Sequence, residues 1–235
     1  MTAKLDFIVG RAGTGKTYRC MQAMRERMSK DPLGPALIML VPEHMTYRAE
    51  RELAASLPQQ GFLRSYVFGF RRFARQILIE TGGARQTRVT DIGRRLILRR
   101  ILAGHGQDGD LRVFARAARQ HSFTADLDEM LNELRTYRLT PEVLREVADD
   151  LPDRRPGSRR LSGKLQELAL LSEEFQAALK EHETASEDMM TLLARKLPDA
   201  PLMRGAEVWL DGFVFFNPQE IEVLRLCSNQ QMLYM

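Results

Sequence analysis

The chain has 235 residues, of which 44% are hydrophobic, and a formal net charge of +4. No apolar run approaches the ~20 residues of a membrane span, and the two cysteines, Cys20 and Cys227, exclude a disulfide framework or a four-thiolate metal site. The N-terminus has no signal-peptide pattern, so we expect a cytoplasmic protein with no membrane partner and one or two domains.

The most specific motif lies at the N-terminus, where an apolar run at residues 5–9 precedes a glycine loop and a helix-compatible stretch at residues 17–27. Glycines let backbone N–H groups converge on a phosphate, and the helix N-terminus adds partial positive charge. We therefore expect ATP to bind here, with the Lys16 ammonium on the β- and γ-phosphates and the Thr17 hydroxyl on Mg²⁺. The loop comprises Gly10, Arg11, Ala12, Gly13, Thr14, Gly15, Lys16 and Thr17.

Strand and helix patterns alternate after this loop. Residues 36–41 form a continuous apolar run that is typical of a strand buried on both faces, and residues 43–57 are helix-compatible. A second pair follows, with a strand pattern at residues 62–68 and helical spacing at residues 69–80. This alternation predicts an α/β fold with a parallel sheet, of the P-loop NTPase type.

The sequence pattern then becomes helical, and a strand pattern returns near the C-terminus. We predict three parts: residues 1–88 begin the P-loop domain, residues 89–200 form an all-helical insertion, and residues 201–235 return to the first domain. The apolar stripes of the insertion indicate packing between helices. Predicted helices lie at residues 91–102, 111–119, 124–137, 141–148 and 165–182, with a polar connection at 149–164, a strand at 207–211 and a helix at 218–226.

Asp211 is the predicted second half of the nucleotide site. It follows the apolar residues 208–210, and a P-loop enzyme needs a carboxylate at the end of a second buried strand to hold Mg²⁺. The alternative is an ordinary strand that ends in an Asp-Gly turn.

The residue after Asp211 bears on turnover. Nucleic-acid motors of the P-loop class usually have a glutamate there, which orients the attacking water, whereas this chain has Gly212. Glu220 or Glu222 could substitute, although both lie well beyond the strand. We assign no catalytic residue and expect nucleotide binding with weak or absent hydrolysis.

Four blocks of the chain resemble the B subunit of the bacterial AddAB helicase–nuclease, with His44 where the family usually has glutamine. They lie at residues 10–17, 40–47, 68–78 and 211–220. The resemblance implies a degenerate superfamily-1 helicase domain whose γ-phosphate-sensing glutamine is replaced by Val214. It also implies single-stranded DNA and an AddA-type motor subunit as partners, and a role in double-strand break processing and recombinational repair. In that role the family's B subunit scans DNA for a recombination hotspot.

The resemblance further implies that this chain is an N-terminal fragment. The family's B subunit is several times longer and carries a second motor domain, a nuclease domain and a cysteine-ligated iron–sulfur cluster, for which two cysteines are too few. Residues 226–235 depart from the family pattern, and we expect an incomplete sheet.

The predicted DNA contacts lie on the helix at residues 69–80. Phe70, Arg71, Arg72 and Arg75 could meet the bases and phosphates of single-stranded DNA. The alternative places the phenylalanines in the core and the arginines on a solvated face. In the insertion, Arg94, Arg95, Arg99 and Arg100 could line a DNA-backbone face, but we favour a solvated helix.

Two rival functions stay open. One is a self-contained P-loop small-molecule kinase or NTPase, in which the helical region covers the acceptor. The other is a non-functional truncation product, in which missing strands leave unpaired edges and exposed apolar faces.

Overall fold

The computed structural model describes residues 4–55, 63–83, 89–108, 111–151, 157–181, 189–230 and 232–234. The chain divides into two compact units. The first combines Met1–Arg85 with Glu187–Met235, and the second is Gln86–Ser186.

The elements follow one another in an α/β order in the first unit and are helical in the second. The first unit begins with β1 (Lys4–Asp6), α1 (Lys16–Lys30), β2 (Leu37–Leu40), α2 (Thr46–Ala55), β3 (Ser65–Phe68) and α3 (Phe70–Thr81). The second unit contains α4 (Asp91–Asp108), α5 (Phe123–Thr136), α6 (Pro141–Asp150) and α7 (Ser158–Glu181). The chain then returns to the first unit with α8 (Met189–Lys196), β4 (Glu207–Leu210), α9 (Pro218–Gln230) and β5 (Met232–Tyr234).

The five strands form one parallel sheet in the order β1-β5-β4-β2-β3. The predicted α/β class with a parallel sheet is therefore confirmed. Because the strands are parallel, the segments that follow β1, β2, β3 and β4 all leave the same edge of the sheet, where ligands of open α/β sheets bind. The sequence did not predict β5, which pairs with both β1 and β4, since three residues are too few to show a period.

Both faces of the sheet are covered by helices, as the continuous apolar pattern of β2 predicts. Leu37 and Met39 pack with residues of α1 and α2, whereas Ile38 and Leu40 pack with residues of α3, α8 and α9. All four β2 side chains are buried. This two-sided core fixes the sheet edge that carries the site.

The second unit has an apolar core of its own, drawn from α4, α5, α6 and α7. Leu98, Leu127 and Leu171 are fully buried in it, and the rings of Phe114 and Phe123 lie 5.3 Å apart. None of the helices in the described ranges is long and apolar enough to cross a membrane.

The predicted helix at residues 111–119 is wrong. The structure has an irregular segment there that ends in a short 3₁₀ turn at Ala117–Arg119. The cause is Glu167 on α7, whose carboxylate accepts hydrogen bonds from three successive backbone N–H groups, those of Arg112 (2.7 Å), Val113 (2.7 Å) and Phe114 (2.8 Å). A partner more than fifty residues away along the chain leaves no local pattern.

Two boundaries also differ from the sequence prediction. The sequence predicts a polar connection up to residue 164, but α7 begins at Ser158. The prediction starts the helix too late because the first turns of α7 lack the apolar spacing that marks a helix. The sequence also predicts an insertion that ends at residue 200. Instead α8 packs against α3 and α9 in the first unit, so the helical unit ends earlier.

Candidate nucleotide-binding site

The glycine loop connects β1 to α1 and has the backbone that its sequence requires. Gly13 and Gly15 have φ angles of +80° and +82°, in the left-handed region that favours glycine. A Cβ at either position would meet no atom within 4 Å, so these glycines are needed for conformation and not for packing. Residues 10–15 are exposed, and α1 begins directly after Gly15. An anion therefore has open access to a helix N-terminus.

Lys16 places its ammonium group over this loop. Nζ donates hydrogen bonds to the backbone carbonyls of Gly10 and Arg11, both at 2.8 Å. The Thr14 hydroxyl also donates to Arg11 O, at 2.8 Å. The loop is thus closed on itself, with a cation held beside the exposed N–H groups.

Thr17 and Asp211 are brought together although 194 residues separate them. The Thr17 hydroxyl donates a hydrogen bond of 2.7 Å to Asp211 Oδ2. Asp211 follows β4, and its N–H donates to Leu40 O on β2 at 3.1 Å, which fixes the start of the loop. The arrangement joins a hydroxyl and a carboxylate, the hard oxygen ligands that Mg²⁺ prefers.

The described residues contain no group of three or more His, Cys, Asp or Glu side chains that could hold a metal ion.

A cavity of about 810 Å³ adjoins these groups. It is lined by Gly13, Gly15, Lys16, Thr17 and Asp211, and by the facing sides of α1 and α2. Its volume lies within the usual range for small-molecule sites.

The position after Asp211 is unfavourable for a side chain. Gly212 has φ +79°, and a Cβ there would lie 2.9 Å from Met45 Sδ and 3.2 Å from Met45 Cε. The backbone and the Met45 thioether thus both oppose any larger residue. A side chain at this position would therefore have to adopt a left-handed backbone and displace the end of Met45.

Gly212→Glu is expected to lower the free energy of unfolding by about 2 kcal/mol or more, since it adds left-handed strain to a displaced Met45. Gly82→Glu is the matched control, because Gly82 lies in the same unit, has φ +80° with nothing near its Cβ position and reports backbone strain alone. Chemical denaturation of both variants checks this. Equal losses would show that Met45 does not restrict the position.

The comparisons with known proteins identify the family. A family model described as "ADDB, N-terminal" matches residues 7–231. The chain belongs to this ADDB N-terminal family. The B subunit of an ATP-dependent helicase/deoxyribonuclease from Desulforudis audaxviator is 43% identical over 220 residues, covering 94% of this chain and 19% of the relative. The corresponding protein from Geobacillus kaustophilus is 40% identical over 232 residues, covering 96% of this chain and 20% of the relative. The chain thus spans about a fifth of the length of these curated relatives.

The four ADDB-like sequence blocks meet at one edge of the sheet. The glycine loop, the segment after β2, the start of α3 and the loop after β4 all follow parallel strands. Phe70, the first residue of α3, packs against Phe213 at 5.6 Å and Phe216 at 6.5 Å between ring centroids. The family blocks are therefore neighbours in space as well as landmarks in sequence.

This placement corrects the prediction that Phe70 stacks on DNA bases. Its side chain is only 5% exposed, because the Phe213 and Phe216 rings cover it. The three arginines predicted beside it, Arg71, Arg72 and Arg75, are exposed. Arg72 Nη1 lies 3.7 Å from Glu50 Oε2, and its guanidinium lies 5.9 Å from the Phe68 ring centroid. The exposed face of α3 is therefore basic, and Phe70 is not part of it.

The arginines of α4 behave differently from one another. Arg94 is bonded to Asp128 Oδ1 through Nε at 2.8 Å and lies over the Phe175 ring, so it belongs to the packing of the helical unit. Arg95, Arg99 and Arg100 are exposed, and Arg99 contacts His121 at 2.9 Å. A continuous four-arginine face is therefore not formed.

The acids considered as substitutes for the missing glutamate lie in α9. The Glu220 carboxylate accepts from Asn217 N at 2.9 Å, and Glu220 N donates to Asn217 Oδ1 at 2.9 Å. With Pro218 at the first helical position, this is a capping box. Burial raises the pKa of Glu220, and the hydrogen bond from Asn217 opposes that shift. Glu220 thus caps a helix, and Glu222 lies near Arg225 one turn on.

Cys20 lies on α1, one turn beyond Thr17, and is buried. Burial raises the pKa of its thiol to about 11, and the nearby Asp211 carboxylate adds to the rise. The thiol therefore stays protonated at neutral pH and is not a nucleophile of the site.

Sequence reasoning missed two side chains at this edge, Glu43 and Met45. Glu43 contacts the start of α3, and Met45 packs over Gly212. Both residues lie in the block at residues 40–47, which indicated a family resemblance. That block alone did not indicate which residues Glu43 and Met45 contact.

Proposed function

We propose that this chain is the ATP- and DNA-binding N-terminal part of a helicase–nuclease subunit that processes double-strand breaks for recombinational repair. The observation that carries the proposal is the Thr17–Asp211 hydrogen bond, because it brings the glycine-loop helix and the end of β4 together from residues 194 apart, as the proposed nucleotide site requires. The names of the relatives, which are ATP-dependent helicase/deoxyribonuclease B subunits, support it.

In the proposed binding mode, the loop N–H groups and Lys16 hold the β- and γ-phosphates. Lys16 exchanges its bonds to the Gly10 and Arg11 carbonyls for bonds to phosphate oxygens. Thr17 and Asp211 hold Mg²⁺, directly or through water, and the metal neutralises phosphate charge.

Weak turnover follows from the surroundings of Asp211. A hydrolytic site needs a base that orients water toward the γ-phosphate. Gly212, directly after Asp211, has no side chain that could act as this base, and Glu220 is engaged in capping α9. The site is proposed to bind nucleotide and to hydrolyse it slowly or not at all.

DNA is proposed to lie along α3. Arg71, Arg72 and Arg75 expose guanidinium groups, which suit phosphate oxygens because they donate bidentately. An AddA-type motor subunit would drive translocation while the present chain scans single-stranded DNA for a recombination hotspot.

Nucleotide hydrolysis by the purified chain, measured with and without a single-stranded oligonucleotide, tests the proposal. We expect nucleotide and oligonucleotide to bind, with turnover near the uncatalysed background in both conditions. Robust DNA-independent turnover would contradict the proposal and favour the rival small-molecule kinase or NTPase. Failure to show a cooperative thermal transition would favour the non-functional truncation product.

A further inference from the structure

The start of α3 is held by a carboxylate from another segment of the chain. Gly69 occupies the N-cap of α3, which has no side-chain cap of its own. Glu43, from the segment after β2, fills that role, since its Oε1 accepts a hydrogen bond of 2.8 Å from Arg71 N. A carboxylate is stabilised at a helix N-terminus by the unpaired N–H groups and the helix dipole.

Gly69 is matched to this contact. A Cβ on Gly69 would overlap the carboxyl group of Glu43, although Gly69 has an ordinary extended backbone with φ −85°. The glycine is therefore explained by the space that Glu43 occupies and not by backbone conformation.

The segment that carries Glu43 also touches the nucleotide site. Glu43 begins a 3₁₀ turn, Glu43–Met45, which is closed by hydrogen bonds from Met45 N to Pro42 O at 2.8 Å and from the Thr46 hydroxyl to Glu43 O at 2.9 Å. Met45 at the end of this turn packs over Gly212, next to Asp211. One short, internally bonded turn thus contacts the Asp211 loop on one side and α3 on the other.

We infer that Glu43 is a positioning residue that couples nucleotide binding at Thr17 and Asp211 to the arginine face of α3. The inference rests on the proposed function of those two sites. A bound nucleotide that shifts the Asp211–Gly212 backbone displaces Met45, and the turn carries that displacement through Glu43 to Arg71. By linkage, nucleotide and DNA then change each other's affinity by the same factor.

The test measures the dissociation constant of a fluorescent single-stranded oligonucleotide with and without Mg²⁺ and a non-hydrolysable ATP analogue. For the unchanged chain we expect the two constants to differ by about fivefold or more. In Glu43→Ala the ratio is expected to fall to about one, while nucleotide affinity stays within about twofold. The variant is expected to fold, because Phe70, Phe213 and Phe216 still hold α3.

Two further variants separate coupling from simple capping. The double variant Glu43→Ala/Gly69→Asp supplies a cap from the N-cap residue of α3 itself. It is expected to restore thermal stability but not the ratio of the two dissociation constants. Glu26→Ala removes one exposed carboxylate, which accepts a hydrogen bond from Gln22 on the same helix α1, and controls for the change in net charge.

The outcomes distinguish the inference from the function on which it rests. If the unchanged chain binds neither ligand, both the proposed function and the inference are wrong. If the unchanged chain binds both ligands without coupling, the inference is overturned and the proposed function stands. The same holds if Glu43→Ala keeps the coupling, or if the double variant Glu43→Ala/Gly69→Asp restores it.

Discussion

Replacing Lys16 with alanine is expected to weaken binding of Mg·ATP by about 100-fold or more, with the fold retained. The ammonium lies over the glycine loop, 2.8 Å from the carbonyls of Gly10 and Arg11, from which it can reach phosphate oxygens. A charge-assisted hydrogen bond contributes about 1.5–3 kcal/mol, and two of them correspond to at least about two orders of magnitude in affinity. Titration with a fluorescent ATP analogue measures the change.

Lys30→Ala is the matched control, since Lys30 is an exposed lysine at the other end of the same helix. It removes the same charge far from the loop and is expected to leave the affinity within about twofold, because exposed charges are screened at this separation. Equal affinity of Lys16→Ala and the unchanged chain would show that the glycine loop does not bind phosphate.

Replacing Glu167 with alanine is expected to destabilise the helical unit by about 3 kcal/mol or more. The carboxylate is the acceptor for three backbone N–H groups, those of Arg112, Val113 and Phe114, and alanine leaves them without this partner. A hydrogen bond to a charged group contributes about 1.5–3 kcal/mol, and the loss is largest for the buried Phe114 N–H and smaller for the part-buried Arg112 and Val113 N–H groups. Amide hydrogen exchange measures the loss separately in each unit, which a single melting temperature does not.

Glu173→Ala is the control on the same helix. Glu173 pairs with Arg145 at the surface, where both side chains are about half exposed, and such pairs contribute about 1 kcal/mol or less. The exchange rates of the helical unit should therefore change little. If Glu167→Ala and Glu173→Ala accelerate exchange equally, the hydrogen bonds from the three N–H groups to Glu167 do not stabilise the helical unit.

The part of the site that sequence could predict is the part with local patterns. The glycine loop has fixed spacing, and the apolar run at residues 208–210 marks Asp211 as the end of a buried strand. The apolar run before Pro42 likewise predicts β2, which is buried on both faces. In each case neighbouring residues carry the whole signal.

The features that sequence could not predict depend on partners from distant segments. Phe70 has the same spacing whether it faces DNA or the core, and only the rings of Phe213 and Phe216 decide for the core. Glu43 caps a helix that begins 27 residues later, and no propensity encodes that contact. The short strand β5 depends on its two neighbours in the same way.

Calorimetric titration of the purified chain with ATP, in Mg²⁺ and again in excess chelator, measures directly whether the glycine loop and Asp211 form one nucleotide site. We expect saturable one-to-one binding that weakens when Mg²⁺ is removed and equally when Asp211 is replaced by asparagine, because the hydrogen-bonded Thr17 and Asp211 are proposed to hold the metal together. An absence of saturable binding, or binding that neither the chelator nor Asp211→Asn changes, would contradict this expectation.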